Sequence, residues 1–144
     1  MSKRTYHYII DTEGKLWQEG YEFDDSELLA FFFQNMIDLG DGTFEVLCQG
    51  EHCLLHPQDV PYVIQDIEIH ETEIQLIFPG GYRETLDPSS LEIGKENILY
   101  CKVREGKMKA RFNRKTYYEI ARLIEEEESN FYLRLGGKKV FLSS

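Results

Sequence analysis

The chain is short of positive charge, since 16 lysines and arginines stand against 26 aspartates and glutamates, and the formal net charge is −10. A field of that sign repels nucleic-acid phosphates and anionic lipid headgroups, so we expect no binding to nucleic acid or to a membrane. Long apolar runs are missing too, because no stretch approaches the roughly 18 residues that a membrane helix requires. Residues 1–8 contain no apolar signal region, and we therefore predict a cytoplasmic protein.

Cysteine is scarce and odd in number, with only Cys48, Cys53 and Cys101. Three cysteines in a chain without secretory signals favour reduced thiols over a disulfide framework. A two-residue hairpin loop would bring Cys48 opposite Cys53, and the nearby His52 and His56 add further metal-binding chemistry. The two histidines would share one strand face while Cys53 takes the other, and the spacing matches no common zinc signature. We predict structural residues and no metal site.

The motifs of nucleophilic and phosphate-binding enzymes are also absent. No G-x-S-x-G segment occurs, and the pairs Gly80-Gly81 and Gly136-Gly137 lack the lysine and the following helix of a phosphate-binding loop. The acids at 24–25 and at 71 and 73 are better explained as a helix cap and a loop than as acid/base catalysts. We predict that the protein is not an enzyme and needs no cofactor.

What the chain does contain is a strand-rich globular composition, with 42% apolar residues and nine residues each of Tyr and Phe. A length of 144 residues is typical of one domain, which we predict to span residues 1–144. The fold class predicted from periodicity is α+β, with antiparallel hairpins and two helices. The first helix is predicted at 25–38, from a capping box at Asp24 and Glu27 to a stop at Gly40, and the second at 113–126 behind the cap Asn113. The predicted strands are 5–10, 15–18, 43–49, 52–56, 62–69, 73–78, 82–86, 97–103, 107–112, 131–135 and 139–142.

Both ends of the chain share the order hairpin, helix, hairpin, and the turn at residues 12–16 parallels the turn at 104–108. We interpret this order as a tandem repeat with halves 5–56 and 97–142, joined by strands within 57–96. An α+β meander without duplication is the alternative, because identity outside the two turns is slight.

The most informative local feature is the segment 102–115, where seven of fourteen residues are basic in an otherwise acidic chain. Strand alternation predicts that Lys107, Lys109 and Arg111 share one face and that Lys102 and Arg104 share one face of the partner strand. These side chains would form one basic surface. The alternative is a solvated sheet face whose cations pair with the protein's own surplus carboxylates.

A helix start follows this basic segment, and its free amide groups and positive dipole end favour an anion. Arg111, Arg114 and Lys115 are therefore predicted to bind a small phosphate or carboxylate. Tyr118 and Trp17 are predicted to line the same site, although core packing is the alternative for either aromatic residue.

Several short motifs resemble a bacterial family known only as domain of unknown function 1285. The matched segments are Trp17-Gln18-Glu19-Gly20, the leucine-rich 28–36, Asp41-Gly42, Asp59-Val60-Pro61-Tyr62, Tyr100-Cys101-Lys102-Val103-Arg104-Glu105-Gly106, Ala110-Arg111, Arg114 and Tyr117-Tyr118. Residues 6–11, with Gly14 and Leu16, are also similar to a second uncharacterised family that has eukaryotic members. The chain is shorter than the first family in its middle, and residues 133–137 replace an expected Trp-Ser-Gly type ending.

The resemblance to the first family implies repeated sheet-and-helix motifs with a cleft between the halves, and a role in ligand binding or signal transduction. Three hypotheses for function follow. The first is a module that binds a small anion through the five residues named above, and the second is an adaptor whose basic hairpin meets an acidic protein partner. The third is an enzyme, for which no catalytic set is visible in the sequence.

Overall fold

The computed structural model describes residues 4–143, which form two helices and sixteen short strands. The helices are α1 (Ser26–Asn35) and α2 (Arg114–Ala121). The strands are β1 (Thr5–Ile10), β2 (Leu16–Gln18), β3 (Tyr21–Phe23), β4 (Ile37–Asp38), β5 (Phe44–Cys48), β6 (Glu51–Pro57), β7 (Tyr62–Ile64), β8 (Asp66–Ile69), β9 (Ile74–Ile77), β10 (Arg83–Thr85), β11 (Glu92–Ile93), β12 (Leu99–Val103), β13 (Met108–Phe112), β14 (Ile124–Glu127), β15 (Asn130–Leu135) and β16 (Lys138–Phe141). The predicted α+β class is confirmed. Neither helix is long and apolar enough to cross a membrane.

The strands form four sheets that are mostly antiparallel. The largest has the order β3-β2-β1-β6-β5-β4, and a four-stranded sheet has the order β11-β12-β13-β7. Strands β8 to β10 and β14 to β16 form two three-stranded sheets. Two pairs are parallel, β1 with β6 and β7 with β13, and each of them joins segments distant in sequence.

Helix α1 begins one residue later and ends earlier than the sequence predicted. Its N-cap is Asp25, whose carboxylate accepts a hydrogen bond from the Leu28 amide at 3.2 Å, whereas the capping box had indicated Asp24. The helix ends at Asn35, its C-cap Met36 has an extended backbone, and the chain continues directly into β4. Gly40 therefore lies beyond the helix and does not cap it.

The second predicted helix is also too long. Helix α2 ends at Ala121, and residues 124–127, of which 124–126 were predicted to belong to the helix, form the edge strand β14 instead. Strand β14 pairs with β15 in an antiparallel register. An edge strand keeps one row of backbone groups in water, so a run of glutamates is tolerated there and discourages further pairing.

Two predicted strand features differ from the structure. The predicted strand 62–69 divides into β7 and β8, which belong to different sheets. The loop between β5 and β6 consists of Gln49 and Gly50, both with positive φ, as in a type I′ turn, and not of Gly50 and Glu51. The partner of Cys48 is consequently Glu51, whereas Cys53 lies opposite Val46, so the predicted pairing of Cys48 with Cys53 is wrong.

One continuous cluster of buried side chains runs through both predicted halves. It includes Phe32 and Phe33 of α1, Ile120 of α2, and Leu133 of β15. The order of strands and helices at the two ends agrees with the predicted hairpin, helix, hairpin arrangement, while duplication of the halves stays a prediction.

Candidate functional site

A cleft of about 550 Å³ opens beside the start of α2. The end of β13, the first turns of α2 and the loop before β12 form most of its wall, and the turn between β1 and β2 contributes Glu13. The cleft thus lies where the first half of the chain meets the second. Its lining residues are Glu13, Glu96, Asn97, Ile98, Leu99, Arg111, Phe112, Asn113, Arg114, Tyr117 and Tyr118.

The junction of β13 and α2 holds this wall rigidly. Asn113 is the N-cap of α2, and its buried side-chain oxygen accepts hydrogen bonds from the Thr116 amide at 3.0 Å and from the Thr116 hydroxyl at 2.9 Å. The backbone amide of Asn113 donates to the Ile64 carbonyl at 3.3 Å. A single residue therefore separates the strand from the helix, and Arg111 and Arg114 are held on either side of it.

Glu13 places a carboxylate of the protein itself at the start of α2. Its Oε2 atom lies 3.4 Å from the backbone nitrogen of Arg114, and its carbonyl accepts a hydrogen bond from the Asn113 side chain at 3.4 Å. The helix start does attract an anion, as the sequence predicted, but an internal one. An external ligand would have to be held by the guanidinium groups and not by the helix amides.

Arg111 is held at the inner end of the cleft by Asp59. Its Nη1 donates to Asp59 Oδ2 at 2.6 Å, and the Tyr100 hydroxyl donates to the same oxygen at 2.8 Å. Burial, together with this hydrogen bond to Asp59, raises the pKa of Tyr100, so the phenol remains a donor. The Nε atom of Arg111 is buried and finds no hydrogen-bond partner among residues 4–143. Asp59 thus fixes the Nη1 end of the Arg111 guanidinium, while the Nε–H group lacks a hydrogen-bond partner among the described residues.

Arg114 lies at the mouth of the cleft, exposed, and no carboxylate of residues 4–143 comes within 4 Å of its guanidinium. Tyr118 lies beside it with 57% of its surface exposed. Glu96 and Asn97, on the opposite wall, both have a positive φ of about 60°. The same left-handed pair of residues occurs in the turns at Arg104–Glu105 and Glu128–Ser129, so it describes a tight turn before β12.

Three of the five predicted ligand-binding residues line this cleft, namely Arg111, Arg114 and Tyr118. Lys115 points elsewhere, because its Nζ lies 3.3 Å from Asp66 and 4.0 Å from Glu119. Trp17 lines a separate hollow beside β1, and its indole N–H donates to Asp11 at 2.9 Å. The structure therefore brings together the two arginines and one tyrosine and leaves out the other two residues.

Hydrogen bonds to the Asp11 side chain hold the turn that contains Glu13. Partial burial opposes ionisation of Asp11, but hydrogen bonds from Trp17 and from the amides of Lys15 and Glu13 hold its pKa below the usual range. The neighbouring Gly14 lies against Gln65, whose side chain donates to the Gly14 carbonyl at 3.0 Å.

The predicted basic surface on β12 and β13 is only partly present. Lys102, Lys107 and Lys109 are exposed, and Lys102 lies directly opposite Lys109 in the strand register. Arg104 turns inward instead, because its Nη1 donates to the carbonyls of Phe33 and Met36 at the end of α1. The prediction that Arg104 shares the exposed face is wrong, since the unpaired carbonyls of a helix end attract a cation.

The residues with metal-binding chemistry are dispersed. His52 pairs with Glu45 at 3.1 Å, and His56 forms a hydrogen bond with His7 at 2.9 Å. Among the described residues no group of three or more histidine, cysteine, aspartate or glutamate side chains is placed to hold a metal ion. Burial raises the pKa of Cys53 and of Cys101, which keeps both thiols protonated and poorly nucleophilic.

No protein-family model matches the sequence, and no curated protein matches it either. Two solved structures do resemble the chain. A DUF1285 family protein from Silicibacter pomeroyi DSS-3 aligns with 99% of this chain and 82% of its own at a TM-score of 0.70 and 17% identity. A DUF1285 family protein from Shewanella baltica OS155 aligns with 80% of this chain and 90% of its own at a TM-score of 0.62 and 15% identity. This chain has the DUF1285 fold.

The resemblance inferred from the sequence motifs is thereby confirmed, while the similarity to a second family stays a prediction. At these identities the DUF1285 proteins establish the fold alone, so the chemistry of the cleft has to be argued from its own residues. The segments in which the sequence resembles that family contain Arg111 and Arg114, which line the cleft, and Asp59 and Tyr100, which hold Arg111 in place.

Sequence reasoning missed Glu13 and Glu96 as lining residues. The turn residues around Glu13 do predict a carboxylate at the tip of the first hairpin. Nothing in the local pattern indicated that this tip docks on a helix start a hundred residues later. Glu96 falls in a segment of weak periodicity, and Asn97 was predicted to begin the strand 97–103, which in the structure begins at Leu99. Both residues have a left-handed backbone that no glycine signals in the sequence.

Proposed function

We propose that the protein is a cytoplasmic binding module that holds a small anion in the cleft beside α2. The observation that carries the proposal is the exposed guanidinium of Arg114, free of carboxylate partners within residues 4–143, at the mouth of a cleft whose inner end holds Arg111. Both arginines line this one cavity, in a chain of net charge −10. Guanidinium groups supply planar, charge-assisted hydrogen bonds to carboxylate or phosphate oxygens.

Binding without catalysis is the simpler role for this site. The lining contains no cysteine, histidine, serine, threonine or lysine, so the groups that could act as a nucleophile or base are the carboxylates of Glu13 and Glu96 and the tyrosine hydroxyls. The buried thiols of Cys53 and Cys101 lie in the core and have raised pKa values. We therefore propose a ligand-binding or signalling domain and not an enzyme.

The test is a thermal-shift screen of the whole protein with acetate, benzoate and inorganic phosphate at constant ionic strength. A ligand that binds only the native state at a hundred times its Kd stabilises it by about 2.7 kcal/mol, so an anion that binds should raise Tm by several degrees. Arg114→Glu should abolish the shift, since a negative charge at the mouth repels the anion. Arg114 is exposed, and the substitution should leave the unliganded Tm nearly unchanged.

Arg122→Glu is the matched control. Arg122 is exposed, belongs to the end of the same helix and does not line the cleft, so this variant makes the same change in net charge. It should keep the ligand-induced shift. Equal shifts in Arg114→Glu and in the unaltered protein, or no shift with any of the three anions, would contradict the proposal.

A second candidate function is an adaptor that meets an acidic partner through the β12–β13 hairpin. Lys102 and Lys109 are cross-strand partners with exposed side chains, an arrangement of like charge that destabilises a hairpin. Lys109 gains some compensation from the Tyr100 ring at 4.4 Å and from Glu92 at 3.9 Å. The pair is thus a local cost to stability that an acidic partner would offset.

Lys102→Glu separates stability from binding at this hairpin. The opposite-charge pair with Lys109 should raise the free energy of unfolding by about 0.2–1 kcal/mol in urea denaturation. If the hairpin is the adaptor surface, the same variant should lose an acidic partner that co-purifies with the unaltered protein. If Lys102→Glu retains the co-purifying partner, this surface is ruled out. Glu105→Gln, which changes a charge in the same hairpin but leaves both lysines unaltered, is the control.

A further inference from the structure

A second cavity of about 340 Å³ adjoins the cleft beside α2. Both are bounded by Asn97, Leu99 and Tyr117, so these residues form the boundary between the two spaces. The remaining lining of the second cavity is hydrocarbon and aromatic. It consists of Ile93, Ala121, Ile124 and Phe131.

The two cavities differ in character. Charged groups line the first one, and no charged side chain lines the second. Phe131, on the wall of the second cavity, keeps 39% of its surface exposed, which costs free energy unless an apolar group covers it. A molecule that spans both spaces would place a charge at the arginines and an apolar chain against Ile124 and Phe131.

The charge balance of the first cavity further restricts the head group. Two cations, Arg111 and Arg114, face two carboxylates, Glu13 and Glu96, within the same lining. Asp59 already neutralises part of Arg111. The two glutamates repel a dianion such as a phosphate monoester about twice as strongly as a monoanion, so a monoanion next to the free guanidinium of Arg114 is favoured.

We propose that the two cavities together bind an amphipathic monocarboxylate, an alkyl or aryl acid whose head contacts Arg114 and Arg111 and whose apolar part lies against Ile124 and Phe131. This inference rests on the anion-binding function proposed above and names its ligand class. The carboxylate matches the planar donor pair of a guanidinium, and the apolar part covers the side chains of Ile124 and Phe131.

The test is calorimetric titration of the whole protein with the sodium salts of acetate, butanoate, hexanoate and octanoate. Each methylene that becomes buried should tighten binding by about fourfold, until the tail fills the second cavity. Ala121→Leu should flatten this dependence on chain length, because the larger side chain occupies the tail space, while acetate binds as before. Phe131→Ser should weaken octanoate from the opposite wall without affecting acetate.

The controls separate the head from the tail. Octanol should bind far more weakly than octanoate, and Arg114→Glu should weaken octanoate but not octanol, while Arg122→Glu should change neither. A flat chain-length series whose binding still depends on Arg114 would overturn the amphipathic ligand and leave the anion-binding function intact. Equal binding of octanol and octanoate would overturn the head assignment. The inference would be overturned if none of the four carboxylates binds, or if phosphate binds in preference to them. If no anion binds at all, the proposed function would be overturned as well.

Discussion

At the scale of single residues, Gly80 lies so close to α1 that a larger residue does not fit without movement of the helix. Gly80, with a φ of +80°, lies against the first turns of α1, where a Cβ atom would come within 2.3 Å of the Ala30 backbone nitrogen and 2.6 Å of the Ser26 carbonyl oxygen. Gly81 has a similar φ of +87°, yet a Cβ there would meet no atom within 4 Å. The two neighbours therefore share a backbone requirement and differ in steric room.

This difference predicts unequal effects of alanine at the two positions. Gly81→Ala should cost about 1 kcal/mol in the free energy of unfolding, from the left-handed backbone alone. Gly80→Ala should cost about 2–4 kcal/mol, because the helix backbone must also move away. Urea denaturation of both variants measures the difference, and equal costs would show that α1 does not pack on this turn as described.

At the scale of elements, periodicity and turn residues located most of the hairpins and the starts of both helices. Arg111, Arg114 and Tyr118 were predictable as neighbours because strand alternation and a capping Asn113 are local signals. The helix ends were not predictable in this way. Residues 124–127 have a composition that suits a helix, and pairing with β15 overrides that preference.

The parallel pairs explain most of the remaining disagreement between sequence and structure. Strand β7 pairs with β13 across more than forty residues, and β1 pairs with β6 in the same way. No short-range signal specifies such partners, because the register of a parallel pair depends on the whole fold and not on a turn. The contacts that complete the cleft, Glu13 with Arg114 and Asp59 with Arg111, belong to this long-range class.

At the scale of the molecule, Arg104 and Tyr62 tie α1 to the second half of the chain. The Arg104 guanidinium, from the turn between β12 and β13, donates to the Tyr62 hydroxyl at 2.8 Å and to the Phe33 carbonyl at 3.2 Å. The Tyr62 hydroxyl in turn donates to the Phe33 carbonyl. The end of α1 is therefore held by a cation and a phenol that lie far from it in sequence.

This network predicts a loss of stability at alkaline pH. Burial raises the pKa of Tyr62 to about 12, although the hydrogen bond from Arg104 opposes the rise, and burial likewise raises the pKa of Tyr8 to about 12. An unfolded tyrosine titrates near pH 10, so the stability contributed by each protonated phenol is complete below about pH 10 and disappears as the pH rises through about 12. The free energy of unfolding should fall across this window.

Tyr62→Phe tests the assignment, because it removes one of the responsible phenols together with its hydrogen bonds. At pH 8 the variant should be less stable by about 1–3 kcal/mol, since the Arg104 guanidinium loses an acceptor in a partly buried site. Between pH 10 and 12 its stability should decline less steeply than that of the unaltered protein, by up to about 1.4 kcal/mol per pH unit. Tyr21→Phe, at a side chain that is 79% exposed, should keep the original slope. Parallel slopes for all three proteins in denaturant titrations would show that Tyr62 is not a source of the alkaline loss, and that the tie between Arg104 and α1 does not depend on its protonated hydroxyl.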